Sequence, residues 1–210
     1  MMNLGRAKGF FIYGAIGVCL VLALIVAGPA SALDFDFSGT ITSHNDVLLF
    51  SFTTTATTVT LFSSSWDDGG FDPILGLWDS AGNLIQVQDD GHNSGSTLSN
   101  GVLYDHGSWD SYYSQLLPAG SYTISLSTYA NFPLSSLLSG GFQYDSQTPI
   151  PIASWSQPFN GVRTGNYEFH LLNVTTATGP SVPEPSSLFL LVLGLFGLAG
   201  WQQRRQRHTM

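Results

Sequence analysis

The sequence has few charged residues, and basic residues are almost absent from its middle. Charged residues make up 10% of the 210 positions. Residues 33–182 contain thirteen acidic residues but a single basic one, Arg163, which gives this region a formal charge of −12. Proteins that bind nucleic acids need clustered Lys and Arg to contact the phosphates. The composition therefore excludes a nucleic-acid partner.

Cysteine is also nearly absent, because Cys19 is the only one in the chain. No disulfide can therefore form within the molecule. Hydrophobic residues make up 43% of the sequence, which is enough for a folded core and argues against overall disorder. The fold must be stabilised by core packing or by a bound metal ion.

Recognisable catalytic motifs are missing as well. The sequence contains neither the G-x-S-x-G pattern of serine hydrolases nor the H-E-x-x-H pattern of zinc proteases. The histidines of the body are scattered, and we expect them to be solvated rather than metal-bound: His44, His92, His106 and His170. These absences predict a protein that is not an enzyme, with a secreted hydrolase as the weakest alternative.

The N-terminal segment has the pattern of a signal peptide. Arg6 and Lys8 precede an apolar run over residues 10–26, which the helix-breaking pair Gly28-Pro29 follows. The small residues before the predicted cut and the first residue after it are Ala30, Ala32 and Leu33. We expect the Sec machinery to export the chain and signal peptidase to remove residues 1–32. The alternative is an uncleaved signal anchor.

The C-terminal segment, residues 182–210, has three parts in a fixed order. The first part is a short motif of Val182, Pro183, Glu184 and Pro185. An uncharged apolar run follows over residues 186–201, and as a helix of about 1.5 Å per residue it spans roughly 24 Å of a ~30 Å hydrocarbon core. The basic end is formed by Arg204, Arg205 and Arg207. These arginines are expected to stop transfer and remain in the cytoplasm.

This segment resembles the PEP-CTERM sorting signal of Gram-negative bacteria. The resemblance implies that a membrane protease, exosortase, recognises the V-P-E-P motif and releases or transfers the protein. It also implies an inner-membrane intermediate with the body in the periplasm, followed by delivery to the cell envelope or outside. An ordinary tail anchor is the alternative interpretation.

The body, residues 33–181, alternates apolar and polar residues with a period of two. This pattern predicts eight short strands separated by turn residues. They are Phe35–Ile41, Asp46–Phe52, Thr57–Ser63, Ile74–Asp79, Leu84–Gln88, Tyr112–Leu117, Tyr122–Tyr129 and Tyr167–Val174. We therefore predict an all-β fold, an antiparallel β-sandwich that is jelly-roll-like, with a long loop or insertion over residues 133–165.

The order of segments over residues 38–132 is similar to the bacterial pre-peptidase C-terminal β-sandwich. The matching stretches are Gly39–Ile41, Asn45–Phe52, Gly69–Leu75, Trp78–Ile85, Asp89–Gly91 and Leu117–Thr123. The resemblance implies a non-catalytic accessory module.

Acidic residues in two glycine-containing loops are candidate metal ligands. They are Asp67, Asp68, Asp72, Asp89 and Asp90. Loops at one end of a sandwich converge, and Ca²⁺ is bound by six to eight oxygen atoms of the kind that such loops supply. We expect Ca²⁺ to bind some of these carboxylates. The alternative is that they are solvated turn residues.

Two tryptophans in Gly- and Ser-rich surroundings, Trp109 and Trp155, are candidates for an exposed pair that stacks on sugars. The alternative is that they belong to the core, as most aromatic residues do. Taken together, the sequence predicts an exported, non-enzymatic protein of the cell envelope or of the extracellular (biofilm) matrix. A module that binds exopolysaccharide or another surface component is the second hypothesis.

Overall fold

The computed structural model describes residues 31–91 and 94–180, and nearly all regular structure in this part of the chain is antiparallel β-strand. The strands are β1 Leu33–Thr40, β2 Leu48–Thr54, β3 Thr57–Ser63, β4 Pro73–Asp79, β5 Leu84–Gln88, β6 Gly95–Ser99, β7 Val102–His106, β8 Tyr112–Leu117, β9 Gly120–Thr128, β10 Ser156–Gln157, β11 Gly161–Val162, β12 Asn166–Val174 and β13 Thr176–Thr178. Two single-turn 3₁₀ helices occupy Leu138–Gly140 and Ile152–Ser154. The predicted all-β, antiparallel fold is confirmed.

Two large sheets form the body. The first has the strand order β1-β12-β3-β8, and the second has the order β13-β2-β9-β4-β5. The eight long strands that the sequence predicts all occur within these sheets, and three of them have the predicted bounds: β3, β5 and β8. With the short extra strands set aside, the strands are distributed between the sheets in the order of a jelly roll.

The core lies between the two sheets, as expected for a β-sandwich. Because side chains alternate along a strand, each sheet turns every second residue inward. Phe50 of β2 is fully buried, and its ring centroid lies 5.0 Å from that of Phe169 on β12 and 6.1 Å from that of Tyr167. Complete burial of one such side chain stabilises a fold by roughly 1.5–3 kcal/mol. Aromatic rings from both sheets therefore pack together in a single apolar core that joins the two sheets.

A hairpin of β6 and β7 covers part of the outer face of the first sheet. Its turn residues Asn100 and Gly101 have φ angles of 47° and 82°, as type I′ turns require. Ser99 Oγ donates a hydrogen bond of 2.6 Å to Asp36 Oδ1 on β1, and the ring of Tyr104 packs against that of His170 on β12. The outer face of the first sheet is therefore partly buried.

The predicted long loop connects β9 to β12. It contains both 3₁₀ helices and the small β10–β11 hairpin. Phe142 packs edge-on against Trp78, with ring centroids 6.3 Å apart, and Ile152 belongs to the core. The segment is thus irregular but packed, and it covers Trp78 on the outer face of the second sheet.

No helix within the described residues is long and apolar enough to cross a membrane. The predicted signal helix over residues 10–26 and the predicted membrane helix over residues 186–201 lie outside the described residues. The predicted signal-peptidase cut directly precedes β1, which begins at Leu33.

Candidate functional site

Several loops meet at one end of the sandwich, which we call the acidic end. It is formed by the connections β3–β4, β5–β6, β7–β8 and β9–β10. In antiparallel sheets the start of one strand lies beside the end of its neighbour. Accordingly, Pro73 at the start of β4 pairs with Thr128 at the end of β9, and Leu75 pairs with Gln88 at the end of β5. The residues just outside these strand ends are therefore brought together.

Three of the five predicted metal ligands meet here and form the Asp cluster: Asp72, Asp89 and Asp90. One carboxylate oxygen from each residue lies within 4.8 Å of the other two. Asp72 is only 1% exposed. Its Oδ2 accepts a hydrogen bond of 2.7 Å from Asn160 Nδ2, whereas its Oδ1 is buried without a hydrogen-bond partner. The fold thus brings together three acidic side chains, one of them deeply buried.

The electrostatic consequence is largest at Asp72. Its burial, followed by the negative charges of Asp89 and Asp90, raises the pKa of this carboxyl to about 7, against the opposing hydrogen bond from Asn160. Burial and the charges of the same three carboxylates also raise the pKa of Tyr129. The acidic end is therefore a strongly negative environment.

The single basic residue of the body does not neutralise this cluster. The guanidinium carbon of Arg163 lies 3.5 Å from the ring centroid of Trp66, a cation–π contact. Its Nε donates to Gly70 O at 2.8 Å, and its NH2 group donates to Trp66 O. Arg163 thereby holds the β3–β4 loop.

The other two predicted ligands, Asp67 and Asp68, lie in the β3–β4 loop and are exposed. They are not members of the three-residue cluster. The loop reverses at Gly69, whose φ is 88°, before it reaches Asp72. Sequence spacing alone could not separate the five residues, because the separation depends on which strand ends become neighbours.

The two predicted sugar-stacking tryptophans are in different environments. Trp109 is 40% exposed, and its ring neighbour is Trp66, with centroids 5.6 Å apart. Trp155 is half-buried, packs against the core and contacts the rings of His44 and Tyr144. The expectation that Trp155 is exposed is therefore wrong. The folded β9–β12 segment buries it, although its sequence context is typical of a loop.

The expectation that the histidines are solvated is wrong for the three that the structure describes. His44 is 1%, His106 is 6% and His170 is 0% exposed. Each ring has a hydrogen-bonding neighbour: Gln147 for His44, Thr97 for His106 and Ser64 for His170. Both ring nitrogens of His44 and His170 have hydrogen-bonding neighbours, which offsets the cost of burial, whereas His106 Nδ1 is buried without one. His92 lies outside the described residues.

One of these histidines is part of an arrangement that sequence reasoning missed. His170 Nε2 lies 2.8 Å from Ser64 Oγ, and its Nδ1 lies 2.7 Å from Asp36 Oδ1. These distances match a Ser-His-Asp triad. However, Ser64 is only 8% exposed, and its hydroxyl also approaches Glu168 Oε2 at 3.2 Å. The β6–β7 hairpin, which the sequence patterns did not predict, lies over His170.

Comparisons with known proteins concern the C-terminal segment. Residues 181–205 match the family model described as the PEP-CTERM protein-sorting motif. No curated protein matches the chain. The match includes only the last residue of the body, Ser181, and the resemblance of residues 38–132 to pre-peptidase C-terminal domains is not confirmed.

The matched residues include the whole predicted sorting motif, from Val182 to Pro185, and two of the three predicted stop arginines, Arg204 and Arg205. They lie outside the described residues. The predicted sorting signal is confirmed. It indicates an exported protein that reaches the cell envelope through a membrane-anchored intermediate and is processed by an exosortase.

Proposed function

We propose that this protein is a non-enzymatic structural component of the cell envelope or extracellular matrix. The observation that carries the proposal is the PEP-CTERM motif at residues 181–205, which follows an acidic body without cysteine. Such a body needs no oxidative folding, because its stability comes from the apolar core between the sheets. Its charge of one sign favours solubility after release.

The proposed route has two processing steps. Signal peptidase removes residues 1–32 after Sec export, and the C-terminal apolar run halts in the inner membrane. Arg204, Arg205 and Arg207 remain on the cytoplasmic side. Exosortase then acts at the V-P-E-P motif and frees the body from the membrane.

The non-enzymatic part of the proposal is supported by the burial of the Ser64–His170–Asp36 arrangement. A nucleophile must reach its substrate, whereas Ser64 is 8% exposed and His170 is 0% exposed. Asp36 also accepts hydrogen bonds from the β6–β7 hairpin. In this interpretation Asp36 and His170 attach the hairpin to the first sheet, and Ser64 holds the ring of His170 in place.

The sorting claim is tested by expressing the chain in paired strains with and without an exosortase. We expect a shorter, released form only in the strain that contains the enzyme. Replacing Pro183-Glu184-Pro185 by alanines should leave the protein in the membrane fraction. Replacing the adjacent Ser186 and Ser187 by alanines is the matched control and should be processed normally. Equal processing of both variants would contradict recognition at the motif.

A second candidate function is the binding of an exopolysaccharide. It is favoured by Trp109, which is 40% exposed and packs against Trp66 beside the exposed Asp67 and Asp68. Exposed aromatic rings can stack on the apolar faces of sugars. The test is retention on immobilised polysaccharide from the producing strain. Trp109→Ala should weaken retention, whereas Phe159→Ala, which removes a 91% exposed ring in the turn between β10 and β11, should not.

A further inference from the structure

We propose that Asp72, Asp89 and Asp90 form a Ca²⁺ site that fastens the acidic end of the sandwich. The sequence indicated five candidate ligands, and the structure reduces them to three whose carboxylate oxygens lie within 4.8 Å of one another. The expected affinity, though not the site itself, depends on the proposed export, because extracellular modules typically bind Ca²⁺ at roughly 10⁻⁴–10⁻³ M.

The cluster is held together by the fold around it. Ser111 is fully buried, and the single proton of its hydroxyl is shared among carbonyl oxygens within hydrogen-bond distance: Pro73 O at 2.6 Å, Gln88 O at 3.1 Å and Asp89 O. These contacts hold the start of β4 beside the end of β5. Gly91 N donates to Asp110 O at 2.7 Å, which ties the residue after Asp90 to the β7–β8 loop. The backbone segments that carry the three carboxylates therefore cannot separate without loss of buried hydrogen bonds.

The backbone at Gly91 packs closely against Asp110 and Tyr112. A Cβ atom at this position would lie 2.7 Å from Asp110 O and 2.9 Å from Tyr112 Cβ. Asp72 is fixed in the same way, because Gln157, which is 2% exposed, contacts both its N and its O at 3.4 and 3.3 Å. The fold therefore holds the carboxylates of the Asp cluster close to one another before any ion binds.

The unpartnered oxygen of Asp72 indicates that a ligand is required. Asp72 is 1% exposed, and its Oδ1 is buried without a hydrogen-bond partner. Desolvating a carboxylate oxygen without a donor is costly, and a second negative charge nearby increases that cost. A cation bound between the carboxylates offsets both the desolvation cost and the repulsion between the negative charges.

The positively charged side chain nearest in sequence among the described residues, Arg163, does not serve this purpose. Arg163 is engaged by Trp66 and by backbone carbonyls. Asn160 donates to Asp72 Oδ2 but carries no charge.

The chemistry of the ligands favours Ca²⁺. Among the residues that the structure describes, the cluster offers carboxylate oxygens and includes no His or Cys, the ligands that Zn²⁺ prefers. Asp89 and Asp90 are half-buried, so water can complete the coordination shell. Ca²⁺ accepts six to eight oxygens in flexible geometry, whereas Mg²⁺ requires a near-ideal octahedron. Asp72 lies in the β3–β4 loop, whereas Asp89 and Asp90 directly follow β5. A site assembled from separate segments in this way fits the flexible coordination of Ca²⁺ better than the strict octahedron of Mg²⁺.

Asn160 is a positioning residue for this site. Its amide holds Asp72 Oδ2 at 2.7 Å, and hydrogen-bonded ligands of this kind keep their orientation toward a metal. The contact also joins the turn between β10 and β11 to the start of β4. Loss of such an outer contact typically reduces metal affinity roughly 10–100-fold.

The experiment uses the full-length chain purified in detergent after EDTA treatment. Thermal unfolding is followed by circular dichroism in EDTA, in millimolar CaCl₂, in millimolar MgCl₂ and in NaCl of matched ionic strength. Binding is measured separately by displacement of luminescent Tb³⁺, a Ca²⁺ analogue, with CaCl₂. At about tenfold excess over Kd, Ca²⁺ should raise the melting temperature by roughly 3–6 °C beyond the salt control.

The variants separate the site from general charge effects. Asp72→Asn and Asp90→Asn should abolish the calcium shift and the Tb³⁺ signal, and Asn160→Ala should weaken Ca²⁺ binding at least tenfold. Asp68→Asn makes the same charge change at an exposed position outside the cluster and should respond as the wild type does. In EDTA, Asp72→Asn should be no less stable than the wild type, because it removes one of three repelling charges.

Four results would overturn the proposal. They are a calcium shift no larger than that in matched NaCl, an equal shift with Mg²⁺, a shift that survives Asp72→Asn, and an Asp72→Asn protein that is unfolded in EDTA. None of these results depends on exosortase processing, so failure of the site and failure of the sorting account remain distinguishable.

Discussion

Asp36 and His170 face each other across β1 and β12, and Asp36 Oδ1 lies 2.7 Å from His170 Nδ1. His170 is fully buried, while the Asp36 side chain is 25% exposed. The same carboxylate accepts hydrogen bonds from Ser99 and Asn100 of the β6–β7 hairpin. One acidic residue therefore joins a main sheet to the hairpin that covers it.

This relationship predicts a pH-dependent contribution of Asp36 to stability. Burial alone would raise the pKa of Asp36, but hydrogen bonds from Asn100, His170 and Ser99 outweigh it and hold the pKa below its ordinary value of 3.8. The folded state therefore favours the charged form. The stabilisation is complete above about pH 3.8 and is lost as the pH falls through the lower, folded-state pKa.

Asp36→Asn should thus lower the free energy of unfolding near pH 7 by about 1–3 kcal/mol. The difference from wild type should shrink as the pH falls below 3.8. The measurement is urea unfolding at a series of pH values, with Asp68→Asn as control. A difference that stays constant with pH would contradict the assigned role.

Ser64 is predicted to be unreactive despite its triad-like distances. A fluorophosphonate probe, which labels activated serines, should not modify the folded protein. Ser64→Ala should instead destabilise it by about 1–3 kcal/mol, because His170 Nε2 and Glu168 lose a hydrogen-bonding neighbour in a buried setting. Mass spectrometry of probe-treated protein is the measurement. Stoichiometric labelling of Ser64 would show that the hairpin admits substrates and that the protein has hydrolase chemistry.

Core packing between the sheets is predicted to dominate stability. Leu61 on β3 is 1% exposed, and Leu116 on the adjacent β8 is 66% exposed. Leu61→Ala should cost about 2–5 kcal/mol, while Leu116→Ala should change the free energy of unfolding by no more than about 0.5 kcal/mol. Both values come from the same denaturant titration. Similar costs for the two substitutions would argue against the described packing of β3.

The eight long strands could be predicted from the sequence because a half-buried strand alternates apolar and polar residues. Tyr167, Phe169 and Leu171 show this alternation, and all three belong to the core. The hairpin of β6 and β7 has no comparable pattern. Leu98 and Leu103, at paired positions, are 60% and 63% exposed. Its attachment to Asp36 and His170 depends on tertiary contacts between distant segments.

The candidate metal site could likewise be predicted only in part from the sequence. Two Asp-rich loops could be recognised in the sequence, and their convergence followed from the expected sandwich. Which carboxylates meet depends on the pairing of β4 with β9 and β5, and on Ser111, whose hydroxyl bonds Pro73 O. No local spacing distinguishes Asp68, which is exposed, from Asp72, which is buried. The predicted exposure of Trp155 is wrong for a similar reason, because a Ser- and Pro-rich segment can still pack against a core.

Cleavage at the sorting motif is the central step of the proposed export route. The decisive measurement is the intact mass of the protein recovered outside the inner membrane of a strain that contains an exosortase. We predict a C-terminus at or next to Val182–Pro185 and loss of the apolar run and Arg204, Arg205 and Arg207. The same measurement without the exosortase should find the complete tail in the membrane fraction. Recovery outside the membrane of a chain that still ends at Met210 would contradict the account.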